Sequence, residues 1–279
     1  MECVETTHKI NGMDIYSQAY FVENSVCNLL VLHDFGSSGA VYDSVGKYFS
    51  QQGMNVYFLD LPGCGKSGGV RGVVCKTEIL DVVHAYIKII KKTDMLTEEQ
   101  LPLFVVGHGL SGLVSCDLCR YDHFINIVDG VVSINPIFKF NIHYEIIVFV
   151  LLTVLFFFIR TYSFTKLKVT FEETEKCSTC DKVISNTLDL KNYYNIVKWG
   201  REELNWNWSD KLPLLLIQSE SDSISSPEAT VQKSKCLLNI SSSFMSVKGG
   251  THYFVFTKNE EIIARRIVEW VKTILKKKQ

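Results

Sequence analysis

The sequence lacks a charge of one dominant sign. Lys and Arg total 29 against 30 Asp and Glu over 279 residues, a formal net charge of −1. That argues against a general nucleic-acid binder, which needs a basic surface to displace counterions. A comfortable membrane span is also missing: the apolar run 146–159 stops at Arg160 after fourteen residues, short of the ~20 that a bilayer requires. The opening Met1-Glu2-Cys3-Val4-Glu5 is acidic and has no apolar signal core, so no signal peptide and a cytoplasmic location are expected. The cysteines, nine and therefore odd in number, are scattered along the chain, which is not the pattern of a disulfide framework. Gly65-Lys66-Ser67 lacks the glycine that a phosphate loop places five residues earlier; that position is Asp60.

Two C-x-x-C pairs, Cys116/Cys119 and Cys177/Cys180, imitate half-sites for zinc. The first falls on the apolar side of an expected helix, where thiols behave as small buried hydrophobes. The second lies in a polar stretch better suited to redox or metal chemistry, but it too is expected to be structural. No metal or cofactor is expected.

What is present is a core of 47% hydrophobic residues with 21% charged, enough to order one large domain. Polar and apolar residues alternate over 2–22 around Asn11-Gly12, a hairpin with a two-residue turn. Short apolar strands follow at Cys27–Leu32, Met54–Leu59, Leu103 onward, Val128–Ile134, Leu212–Ile217 and Phe244–Val247. Helices are expected up to Gln52, over 73–92, up to Tyr121, from Glu228 to Leu238 and over 258–275. Alternation of this length implies an α/β fold with a mostly parallel sheet, helices on both faces and right-handed crossovers. The rhythm breaks over 137–206. This is an expected inserted helical cap, dividing a discontinuous core of 1–136 and 207–279. Its apolar helix 146–159 is expected either to bury over a pocket or to dip into a membrane surface; a true span, borrowing Asn141 to Tyr144, is the third option. Lys276-Lys277-Lys278 suits a helix C-terminus and a solvated tail, or an anionic membrane.

The chain turns on Gly107-His108-Gly109-Leu110-Ser111-Gly112. An apolar strand meets glycines and a second apolar run, the pattern of a strand, a sharp turn and a helix. That is the nucleophile elbow G-x-S-x-G, whose central residue carries a strained backbone and a reactive side chain. Here the central residue is Gly109, which has no side chain to acylate. In a shifted frame Ser111 would be the nucleophile. Leu113 would then crowd a position that needs a small residue, and Ser111 would lie ~3 Å further along the helix axis.

These motifs, in this order, resemble the monoacylglycerol lipase and serine aminopeptidase branch of the α/β-hydrolases, over 1–136 and 207–279. His33-Asp34-Phe35-Gly36 stands at the family's oxyanion loop, and Asp60 to Ser67 at its Asp-x-x-Gly-x-Gly-x-Ser turn. Ser221-Asp222-Ser223 is similar to the acid loop and Gly250-Thr251-His252 to the histidine turn. The resemblance implies His252 as general base, Asp222 as its orienting acid with Glu220 the nearest rival, and the N–H groups of Phe35 and Leu110 as the oxyanion hole. His33 and His108 are implied to shape loops. Two departures stand out. Gly109 replaces the nucleophile, and Asp34 replaces a glycine, bringing negative charge towards the site where the transition state develops its own. The expected function is a monoacylglycerol-lipase-like protein, impaired or inactive as an enzyme, that retains a small lipid or acyl ligand or a partner. An active ester hydrolase using a displaced serine such as Ser111, and a membrane-associated interaction protein making peripheral contact through the cap, are the alternatives. Gly109→Ser alone is expected to restore some reactivity if the remaining groups are still arranged for work.

Overall fold

The computed structural model describes residues 2–96, 100–121, 124, 126–141, 168–170, 187–208, 211–255 and 257–278. The expected apolar helix 146–159 and Cys177/Cys180 lie outside them.

Ten strands and six helices are described. In chain order they are β1 (Glu2–Ile10), β2 (Met13–Phe21), β3 (Cys27–Leu32), α1 (Asp43–Gln51), β4 (Met54–Leu59), α2 (Lys76–Leu96), β5 (Leu103–His108), α3 (Leu110–Leu118), β6 (Gly130–Ile134), β7 (Lys168–Thr170), β8 (Thr187–Asp189), α4 (Leu190–Asn205), β9 (Leu214–Ser219), α5 (Pro227–Ser234), β10 (Ser243–Val247) and α6 (Glu260–Lys278). A short 3₁₀ turn, Gly39–Tyr42, leads into α1. Eight strands form one sheet in the order β1-β2-β4-β3-β5-β6-β9-β10. β1 and β2 pair antiparallel, as do β2 and β4; the rest is parallel.

The hairpin is closed by Asn11 and Gly12, both at positive φ, as a two-residue turn between right-twisting strands requires. Every residue of β3, β4, β5, β6 and β9 is buried. Such fully buried, predominantly apolar strands belong to a parallel sheet covered on both faces. The apolar stripe of α6 (Ile263, Ile267, Val271 and Ile274) is buried. So are Ile79, Val82, Val83, Tyr86 and Ile90 of α2. Each such side chain contributes roughly 2 kcal/mol of transfer free energy. Cys116 and Cys119 are buried at the end of α3, their thiols pushed up by loss of solvent.

Between β6 and β9 the chain leaves the sheet. The described part of this stretch is tied to the core by polar contacts. Asp189 caps α4 by accepting from the Asn192 N–H (2.7 Å). The fully buried Asp117 of α3 accepts from Trp199 Nε1 (2.7 Å) and pairs with Lys76 (2.8 Å). Arg120 pairs with the buried Glu203 at 2.7 Å. The buried charges are therefore matched, as burial demands. They fix α4 against the helix that follows the elbow. No helix among the described residues is long and apolar enough to cross a membrane.

Candidate active site

The parallel sheet brings the ends of β3, β5, β6 and β9 to one edge, where sheets of this kind place their sites. β5 ends at His108, Gly109 turns the chain, and α3 begins at Leu110. Gly109 has φ +58 and ψ −115, a backbone that residues with a side chain rarely adopt. The turn is tight: a Cβ at Gly107 would run into the backbone carbonyl of Ser111. The Gly109 N–H donates to Ile134 O (2.9 Å), locking the elbow onto β6.

His252 is fully buried, and a carboxylate faces each of its ring nitrogens. Nδ1 lies 2.9 Å from Asp222 Oδ2 and 3.1 Å from Oδ1. Nε2, the nitrogen that a seryl hydroxyl would engage, lies 3.0 Å from Asp34 Oδ2. An ionised carboxylate can only accept, so with both carboxylates ionised each ring nitrogen carries hydrogen and the ring is an imidazolium. Burial alone would lower its pKa; the charges and hydrogen bonds of Asp222 and Asp34 outweigh that and raise it well above the ordinary histidine value.

Asp222 is held by its own loop. Its Oδ1 accepts from the N–H groups of Ile224 and Ser225 (both 2.8 Å), and its Oδ2 from Ser225 Oγ (2.5 Å). Asp34 is only 3% exposed. Its Oδ1 accepts from the N–H of Phe35 and the N–H of Leu110, each at 2.7 Å. Burial would raise this carboxyl, but the hydrogen bond and charge of His252 and the Leu110 N–H more than offset it, so the group lies below its usual range. The two amides assigned from sequence as the oxyanion hole therefore converge on one point, and Asp34 Oδ1 occupies that point.

The same carboxylate passes through the space that a side chain at position 109 would take. A Cβ there would stand 2.6 Å from Asp34 Oδ2 and closer still to Cγ and Oδ1. This changes the expectation for Gly109→Ser, because the new side chain has nowhere to go while Asp34 stays in place. Ser111 is fully buried and its Oγ donates to the His33 carbonyl (2.5 Å). The structure brings Gly109, Leu110, Phe35, Asp222 and His252 together; Ser111 Oγ points to the backbone of the oxyanion loop.

The two motif histidines hold this arrangement from below. His33 Nε2 accepts from the Leu61 N–H (3.0 Å), so its Nδ1 donates to Asp34 O (2.7 Å). His108 donates from Nε2 to the carbonyl of His252 (2.8 Å) and accepts at Nδ1 from Tyr42 Oη (2.6 Å). Burial pushes the His108 pKa down to about 4, so this ring is neutral. Asp60 accepts from the N–H groups of Gly39 and Lys66 (both 2.7 Å), fixing the loop beside the site.

Sequence reasoning missed two residues. Tyr42 links the oxyanion loop to His108, accepting from the Asp34 N–H (3.4 Å). Asn135, at φ +47, donates to the carbonyl of His252 (2.6 Å) and accepts from the Ser219 N–H (2.7 Å). Its position directly after a buried strand and before Pro136 was the available signal, since asparagine tolerates this backbone. Among the described residues no group of three or more His, Cys, Asp or Glu side chains is arranged to hold a metal ion.

The family described as serine aminopeptidase, S33, matches this chain over residues 24–259. No curated protein sequence matches it. Among solved structures, it is similar to a soluble variant of monoglyceride lipase from Saccharomyces cerevisiae in complex with a substrate analogue (TM-score 0.78, 14% identity, 98% of this chain and 95% of that one). It is also similar to the monoacylglycerol lipase of Paleococcus ferrophilus (TM-score 0.72, 19% identity, 93% and 99%). A third likeness is to Est1E from Butyrivibrio proteoclasticus with ferulic acid bound (TM-score 0.67, 16% identity, 97% and 99%). The family match over most of the chain, on an eight-stranded and mostly parallel sheet, places it in the serine aminopeptidase (S33) family of α/β-hydrolases.

Proposed function

We infer that this protein is a monoacylglycerol-lipase-like member of its family that no longer hydrolyses esters through an acyl-enzyme, and that its retained work is binding. The observation that carries the reading is the partner of His252 Nε2: a carboxylate of Asp34 at 3.0 Å, with Gly109 where a nucleophile belongs. The base is already protonated, so it has no lone pair with which to accept a seryl proton.

Losing a triad serine normally leaves an enhancement of about 10³–10⁴ over water, supplied by the oxyanion hole and substrate binding. Here both hole amides already serve Asp34 Oδ1, which removes that residue of catalysis as well. A carboxylate can itself act as a nucleophile. In Asp34 one oxygen holds two amide hydrogens and the other the imidazolium, which blunts its attack. In this reading the span 137–206 is the cap, and the ligand is a small lipid or acyl compound, the class that the likeness to monoglyceride lipases favours. A protein partner is the other binding role consistent with a silent centre.

The purified protein should therefore remain unlabelled by a fluorophosphonate probe and should not turn over a monoacylglycerol or a nitrophenyl ester above the blank. A non-hydrolysable monoacylglycerol ether should still bind saturably by calorimetry. Stoichiometric labelling of the native chain would overturn the reading.

A further inference from the structure

We propose that Asp34 is a built-in carboxylate ligand of the hydrolase site, and that a carboxylate at position 34 and a side chain at position 109 are mutually exclusive occupants of one space. Three independent contacts point the same way. Oδ1 takes the two amides of Phe35 and Leu110. Oδ2 takes His252 Nε2. The carboxylate itself fills the volume into which a Cβ on Gly109 would project. A carboxylic acid product released by such a site would make these contacts: one oxygen in the hole, the other on the imidazole. Asp34 supplies that pair of oxygens from its own side chain, held in place at an effective concentration no free acid reaches.

Two consequences follow from the geometry, and they rest on the reading that the native centre is silent. The aspartate is compatible only with a chain that carries no side chain at 109, so Gly109 and Asp34 form one coupled change. The remaining parts (Asp222, His252, the two amides and the elbow backbone) are already in place, so undoing both changes should rebuild a reactive serine, whereas undoing either alone should not. Shortening Asp34 by itself should leave a seat for a small monocarboxylate.

The experiment compares the native chain, Asp34→Gly, Gly109→Ser and the pair. The pair should react with a fluorophosphonate stoichiometrically and release nitrophenol from nitrophenyl acetate on the order of 10³-fold above the native chain, a part of the roughly 10⁶-fold lost when a triad serine is removed. Both single variants should stay unlabelled. Asp34→Gly should gain several degrees in Tm on adding sodium acetate and nothing from sodium chloride at the same ionic strength, while the native chain gains from neither. Labelling of Gly109→Ser as fast as the pair overturns the proposal, because the two groups then coexist. A folded but unlabelled pair overturns it too. If the pair does not fold, acetate decides: a Tm gain, or folding of Asp34→Gly only with acetate present, supports the proposal, and no response to acetate contradicts it. Labelling of the native chain would instead sink the reading of a silent centre, so the two failures are distinguishable.

Discussion

The His252→Ala variant is expected to lose about 4 kcal/mol of folding stability near neutral pH, the range measured when one partner of a buried ion pair is removed, and to recover part of it on acidification. In the native chain His252 is fully buried between Asp34 and Asp222, and its folded pKa is raised. Its contribution is therefore complete below the unfolded value of about 6.5 and is lost as pH rises through the folded value. Asp34 is depressed, so its contribution is present above about 4 and is lost as pH falls through its folded value. Both contributions are complete between these limits. Alanine leaves two carboxylates across a void with no counter-charge. Burial then favours their protonated forms, the folded state binds more protons than the unfolded one, and stability falls as pH rises from about 4. Urea unfolding of the variant should show higher stability at pH 4.5 than at pH 7.5; equal stability at both would contradict the claim that removing the imidazole leaves buried carboxylates without their counter-charge.

The second large effect belongs to Gly109→Ser taken alone. The elbow backbone strains any residue with a side chain by about 1–3 kcal/mol, and the new Cβ would drive the Asp34 carboxylate off the two amides and the imidazolium. Together these cost on the order of 4 kcal/mol. At roughly 2–3 °C per kcal/mol for a domain of this size, Tm should fall by about 10 °C. Gly109→Ala should behave similarly, because the collision begins at Cβ. Adding Asp34→Gly should then return stability rather than subtract more, a non-additive cycle of the kind seen between residues sharing one space. Thermal unfolding of the four proteins measures it; a Gly109→Ser chain as stable as the native one would contradict the collision.

Most of the fold was legible because buried parallel strands are short, predominantly apolar runs. β3 and β4 fall where those runs fall, Cys27–Leu32 and Met54–Leu59. Boundaries moved where tertiary contacts decide them. The expected helix 73–92 begins later and runs on as Lys76–Leu96, since Val73 to Cys75 enter it as a loop held by Asn192 and Asn195 of α4. The expected helix up to Tyr121 ends earlier, at Leu118, where Asp117 and Arg120 turn to meet α4. For the site, sequence named the residues but not their relation. Gly109 and Asp34 lie 75 positions apart, and each reads as a separate departure. Their compensation depends on where one carboxylate points, which no local pattern encodes. Asn135 and Tyr42 were missed for the same reason: their partners, His252 and His108, are supplied by distant turns.

The protonation of His252 tests the central claim most directly. A ¹⁵N–¹H correlation spectrum of the histidine rings at about pH 8, well above the ordinary value of about 6.5, should show the fully buried His252 with hydrogen on both ring nitrogens. Asp34→Asn should return it to a ring with one. A native His252 that carries a single N–H at that pH, with Nε2 bare, would contradict the account, because a bare Nε2 cannot donate to Asp34 and stands ready to serve as a base.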